Sequence, residues 1–66
     1  MNTQKIHPIE DYILEHTIRR DYYAGGNLHN AYLTNDMDRA SVVSGSTLLS
    51  NDTWRWKGWK AIRFED

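Results

Sequence analysis

Cysteine is absent from this chain of 66 residues, and that absence restricts the fold more than any motif does. At this length folding buries only about 60% of the surface the unfolded chain exposes, so core and chain entropy nearly cancel. Disulfides, the usual staple of small domains, are excluded, as are Cys–zinc sites and thiol catalysis. What remains is a core drawn from the 39% of residues that are apolar, or association with another surface. Three Trp, four Tyr and one Phe supply aromatic bulk, and so mixed a composition reads as folded. The expectation is a single small domain over residues 1–66. A pocket of several hundred Å³, roughly what a small-molecule site needs, would consume such a core, which argues against an enzyme. No apolar run approaches the ~18 residues of a membrane span. No basic stretch followed by an apolar run opens the chain, so no secretory signal and a cytoplasmic location are expected, with no membrane partner.

The net charge of −1 hides an asymmetry. Residues 1–33 sum to −1, residues 34–52 to −2 and residues 53–66 to +2. The segment Trp54–Arg63 holds four basic residues and three Trp with no acid among them.

Patterning predicts a helix from Pro8 to Tyr22. Proline suits the first helical position, Glu10 and Asp11 suit the first turn, and Arg19 and Arg20 the last. Gly25–Gly26 supplies a stop. Ile9, Tyr12, Ile13, His16 and Tyr23 fall on one stripe of such a helix, and Leu14, Ile18 and Tyr22 on another that could meet a second chain. Leu28–Thr34 reads as a strand. Residues 35–45 favour a short helix capped by Thr34 or Asn35 and ended by Gly45, with a strand at Ser41–Ser44 as the alternative. Thr47–Leu49 reads as strand and Asn51–Asp52 as a turn. The predicted fold class is α+β: one N-terminal helix packed on a small, mostly antiparallel sheet, with room for a second short helix.

The tail segment Trp54–Phe64 admits two geometries. A tight turn at Lys57–Gly58 would make a hairpin with two mixed faces. One extended strand, with Gly58 as a bend or bulge, sorts more cleanly. Trp54, Trp56, Ile62 and Phe64 then point to the core, and Arg55, Lys57, Trp59 and Arg63 to solvent. An exposed indole framed by cations is suited to contact. The octapeptide Lys57-Gly58-Trp59-Lys60-Ala61-Ile62-Arg63-Phe64 resembles the signature octapeptide of RNA-recognition-motif domains. The basic first residue, Gly58, Ile62 and Phe64 match. Lys60 and Ala61 depart from it, Ala61 standing where that family has a second stacking aromatic. No family is assigned on eight residues. The resemblance implies the register in which Trp59 faces out while Ile62 and Phe64 face in.

Most chemistry can be set aside. His7, His16 and His29 share no helical metal-binding spacing, and His16 reads as a packed, hydrogen-bonded histidine. Asp36-Met37-Asp38 lacks the remainder of a calcium loop. Gly25–Gly26 is followed by no Lys-Ser/Thr, and Ser44-Gly45-Ser46 lacks the surrounding nucleophile-elbow pattern. Asn51-Asp52-Thr53 is an ordinary turn. No catalytic group, metal or cofactor is expected. The favoured function is a non-enzymatic protein-interaction module, such as a bacterial or phage regulator or inhibitor that binds a larger host complex. Arg55, Lys57, Trp59, Arg63, Leu14, Ile18 and Tyr22 would make the contact, and a homodimer is one form of such association. The alternative is a nucleic-acid-binding module using the same Trp/Arg/Lys-rich strand, which the overall acidity weakens.

Overall fold

Proline 8 lies in a turn, where the amide of Glu10 donates to the carbonyl of His7 at 3.1 Å. The proline ring presets φ at the second turn position as well as it would at a helix start. The chain then extends into β1 (Asp11–His16). The helix expected over Pro8–Tyr22 does not form. Tyr12, Ile13, Leu14 and Glu15 are all buried, so both faces of the strand are covered. A strand buried on both faces shows a continuous apolar run, which periodicity alone cannot separate from a helix.

In this computed structural model residues 4–26 and 30–64 are described. After β1 come β2 (Tyr22–Tyr23), β3 (Leu33–Thr34), a three-residue 3₁₀ turn (Met37–Arg39), β4 (Val43–Ser44), α1 (Gly45–Ser50), α2 (Thr53–Trp56) and β5 (Trp59–Arg63). The α+β class therefore holds, with the helices late in the chain. Leu28 and His29 lie outside the described residues, and the strand expected at Leu28–Thr34 is seen at Leu33–Thr34. Both options for residues 35–45 are realised in part, since Asp36 caps the 3₁₀ turn and Val43–Ser44 is a strand. Thr47–Leu49 is helical, not extended: the Ser44 side chain accepts from the Thr47 amide and starts α1.

The five strands form a small curled antiparallel sheet with β1 at its centre. β5 pairs with β1 from Tyr12↔Arg63 to His16↔Trp59. On the other edge of β1, β4 pairs at Asp11↔Ser44 and Tyr12↔Val43, and β2 at Glu15↔Tyr22. This register puts Tyr12, Leu14 and His16 on one face beside Trp59 and Ala61. Leu48 of α1, Trp54 of α2 and Ile6 join that face to complete the core. Trp54 is wholly buried, and its indole N–H donates to the Leu48 carbonyl at 3.0 Å. The opposite face carries Ile13, Glu15, Lys60 and Ile62. Ile13 floors a groove there, lined also by Met37, Val42, Ile62 and Phe64. The buried Glu15 carboxylate stands 3.2 Å from Lys60 Nζ and 3.7 Å from Arg20 Nε.

Two local devices hold the chain in register. Gly45 leaves no room for a side chain, because a Cβ there would lie 2.0 Å from the His7 carbonyl oxygen. On the outer edge of β5, the Gln4 side-chain amide pairs with both the N–H and the C=O of Ala61. A side chain thus satisfies backbone groups that a neighbouring strand would otherwise take.

Candidate functional site

Two turns meet at the end of the sheet where β1 finishes and β5 begins. The first, residues 17–21, closes the hairpin between β1 and β2: His16 N–H donates to Asp21 at 2.8 Å, and Arg20 N–H to His16 at 2.9 Å. Arg20 adopts a left-handed backbone (φ 66°) to make that closure. The second turn, Lys57–Gly58, ends α2, with Gly58 at φ 89°. Thr17 ties the two together, its backbone amide and hydroxyl donating to the same Gly58 carbonyl at 2.8 and 2.9 Å.

This junction gathers charge. Arg19, Arg20, Arg55, Lys57 and Lys60 belong to the two turns and the residues adjoining them, five of the eight basic residues in the chain. The acids among them are Glu15, held by Lys60 and Arg20, and Asp21. Arg19 Nε lies 3.6 Å from Asp21 Oδ1, an oxygen that is buried and accepts no hydrogen bond. Asp52 opens α2, one helical turn away from Lys57. The junction is therefore the positive end of a chain whose total is −1. Two large apolar side chains stand out beside these cations: Ile18, 82% exposed, and Trp56, 64% exposed.

The tryptophans do not divide as the tail pattern predicts. Trp59 is 3% exposed and packs edge-on against His16 (5.2 Å between centroids) and Tyr23 (6.3 Å). It is not a solvent-facing contact residue. Trp56, expected in the core, is the exposed indole, and Phe64, also expected inside, is 39% exposed. The physical reason is α2. Residues 53–56 are helical and Gly58 breaks the chain direction, so Trp54 and Trp56 do not share a strand with Ile62 and Phe64. In β5 the odd positions, Trp59 and Ala61, face the core. The register implied by the RNA-recognition-motif resemblance is thus reversed.

Of the other expected contact residues, Leu14 is buried in the core at 1% exposure and offers no surface. Tyr22 is half-buried opposite Glu15. Without a helix, Leu14, Ile18 and Tyr22 form no stripe. Arg63 lies at the far end of β5, paired to Glu10 at 3.0 Å. Lys57 and Ile18 do lie on the two turns of the junction, and Arg55 belongs to the short helix that leads into the second. The Arg55 guanidinium stacks over the Trp54 ring at 4.5 Å, the geometry of a cation–π contact. Arg19, Arg20, Trp56 and the core-facing position of Trp59 escape the strand reading. The signal that would have found the last two is Asp52 before Trp54-Arg55-Trp56 with Gly58 after it, a helix start and stop around one turn; no local signal joins Arg19 and Arg20 to them.

A cleft opens at the junction, lined by His16, Arg19, Asn30, Ala31, Leu33, Lys57 and Trp59. His16 is hydrogen-bonded, as expected: its Nδ1 accepts from the amides of Ile18 and Arg19, both at 3.3 Å. Those bonds place the ring proton on Nε2. Among the described residues no group of three or more His, Asp or Glu is arranged to hold a metal ion, and no helix is long and apolar enough to cross a membrane. No family model, curated protein or solved structure matches the chain.

Proposed function

We propose that this protein is a non-enzymatic interaction module that binds an acidic surface of a larger protein through the junction of its two turns, acting as a small regulator or inhibitor. The observation that carries this reading is that two exposed apolar side chains, Ile18 in the first turn and Trp56 at the end of α2 just before the second, flank hydrogen-bonded turns that bear Arg19, Arg20 and Lys57. Exposed Trp and Arg are the residue types that dominate interface energetics, and an apolar centre with a charged rim is the usual anatomy of a contact patch. The cations favour an acidic partner and raise the encounter rate. The aliphatic Ile18 side chain supports a protein partner over nucleic acid, whose bases would use the Trp56 ring and whose phosphates would use the cations.

The test is affinity capture from a bacterial lysate with three chains: wild type, Trp56→Ala and Phe64→Ala. Truncating a central Trp removes about 2 kcal/mol or more of binding. A protein retained by wild type and by Phe64→Ala, but lost with Trp56→Ala, is the expected result. A protein retained equally by Trp56→Ala, or lost with Phe64→Ala, overturns the placement of the surface. Salt-sensitive binding of a single-stranded oligonucleotide, with no protein captured, would favour the nucleic-acid alternative.

A further inference from the structure

The junction holds more than an exposed patch. Its cleft is bounded on one side by Arg19 and on the other by Lys57, with His16 and Trp59 forming part of the wall. Thr17 fixes the separation of the two sides by binding the Gly58 carbonyl twice. Lys57 makes no ion pair among the described residues, and Arg19 is held only loosely by Asp21, at 3.6 Å. His16 forms part of the wall, its Nε2 edge turned toward Gly58. Its Nδ1 is committed to two backbone amides, which leaves the proton on Nε2. Among the described residues no acid lines the cleft. We infer that this cleft is an oxyanion site that receives a carboxylate side chain of the acidic partner, between Arg19 and Lys57. The inference rests on the interaction reading above and names the group that the junction recognises.

The donor set favours carboxylate over phosphate. Phosphate sites are typically built on several free backbone amides or on clustered arginines. Here the nearest turn amides, those of Ile18 and Arg19, already donate to His16. The local charge is also suited to one negative unit, because Asp21 offsets part of Arg19. A single carboxylate lowers the positive charge of the cleft to about that of one cation and brings the apolar part of the partner toward Trp56 and Ile18.

The experiment uses the full chain, labelled with ¹⁵N and titrated with glutarate, inorganic phosphate or sodium chloride at matched ionic strength. Glutarate is expected to saturate in the millimolar range, shifting the Trp59 indole N–H and the amides of Arg19 and Lys57. Lys57→Ala is expected to weaken it about tenfold, as loss of a charge-assisted hydrogen bond does, with unchanged amide dispersion showing that the fold is intact. Equal shifts with chloride, or binding unaffected by Lys57→Ala, would overturn the site. Tighter binding of phosphate would overturn the carboxylate assignment. A second titration uses a synthetic peptide of alternating Glu and Leu. If that peptide binds through Trp56 while glutarate binds nowhere, the cleft inference falls and the interaction reading stands. If glutarate binds while the peptide does not, the interaction reading has failed instead.

Discussion

Replacing Gly45 with alanine is the sharpest single test of how this fold is held. The added Cβ would stand 2.0 Å from the His7 carbonyl oxygen, 2.8 Å from the His7 carbonyl carbon and 3.1 Å from the Glu10 oxygen. All three are backbone atoms, so no flexible side chain can swing aside. The turn at residues 7–10 or the start of α1 must move by more than an ångström. Such a movement strains the Gly45 amide bond to the Glu10 carbonyl (2.7 Å), the Glu10 amide bond to His7 (3.1 Å) and the His7 amide bond to the Tyr12 hydroxyl (2.9 Å). Overpacking costs about 1–3 kcal/mol, and each weakened hydrogen bond about 0.5–1.5 kcal/mol. Together they give a loss of about 2.5–7.5 kcal/mol. A chain of this length has only about 3–10 kcal/mol to lose, at roughly 0.05–0.15 kcal/mol per residue. Urea unfolding followed by circular dichroism should show the midpoint falling by a third or more, with thermal melting at least ~10 °C lower. Gly58→Ala is the useful comparison, since its backbone is left-handed at φ 89°. It should cost about 1–2 kcal/mol for that conformation, plus the 3.0 Å approach to His16 Nε2. A Gly45→Ala protein melting within a degree or two of wild type would refute the packing of the N-terminal turn against α1.

Three further substitutions probe the other fixed points. Trp54→Phe removes the buried indole N–H that the Leu48 carbonyl accepts, and part of the core volume, and should cost about 2–4 kcal/mol by denaturant titration. Gln4→Glu keeps the acceptor for the Ala61 amide but turns a second oxygen toward the Ala61 carbonyl. It should lower stability by about 1–3 kcal/mol, with faster hydrogen exchange along β5. Thr17→Val deletes the hydroxyl bond to Gly58 while leaving the backbone one. About 0.5–1.5 kcal/mol of stability should go, and binding of the Glu–Leu peptide should weaken as the two turns lose their alignment.

How much of this was legible in the sequence depends on where the chain is covered. The α+β class, the core position of Trp54, a change of course at Gly58 and the Trp59–Arg63 part of the strand expected over Trp54–Phe64 could be read from composition and local chemistry. The helix over Pro8–Tyr22 was a coherent error. Proline, acids, an apolar run, Arg19-Arg20 and the glycines each fit a helix, yet each also fits a turn, a strand buried on both faces and a hairpin. Nothing local separates the two, because the deciding contacts come from β5 and β4. At the tail the alternation was real but tied to the wrong residues. A helix of four residues is too short to show its own periodicity, so alternation alone groups Trp54 and Trp56 with the strand that follows. The positive junction was half-visible: the basic tail window was plain, but its union with Arg19 and Arg20 required the Thr17–Gly58 bonds.

The proposed surface requires Trp56 to be the accessible indole, set among cations, while Trp54 and Trp59 are enclosed. Iodide quenching of tryptophan fluorescence measures this directly when compared with caesium, because cations concentrate iodide and repel caesium. Wild type should show one quenchable fraction, stronger with iodide than with caesium, that disappears in Trp56→Phe and persists in Trp59→Phe. Loss of that fraction in Trp59→Phe, with Trp56→Phe behaving as wild type, would contradict the placement of the junction and the function argued from it.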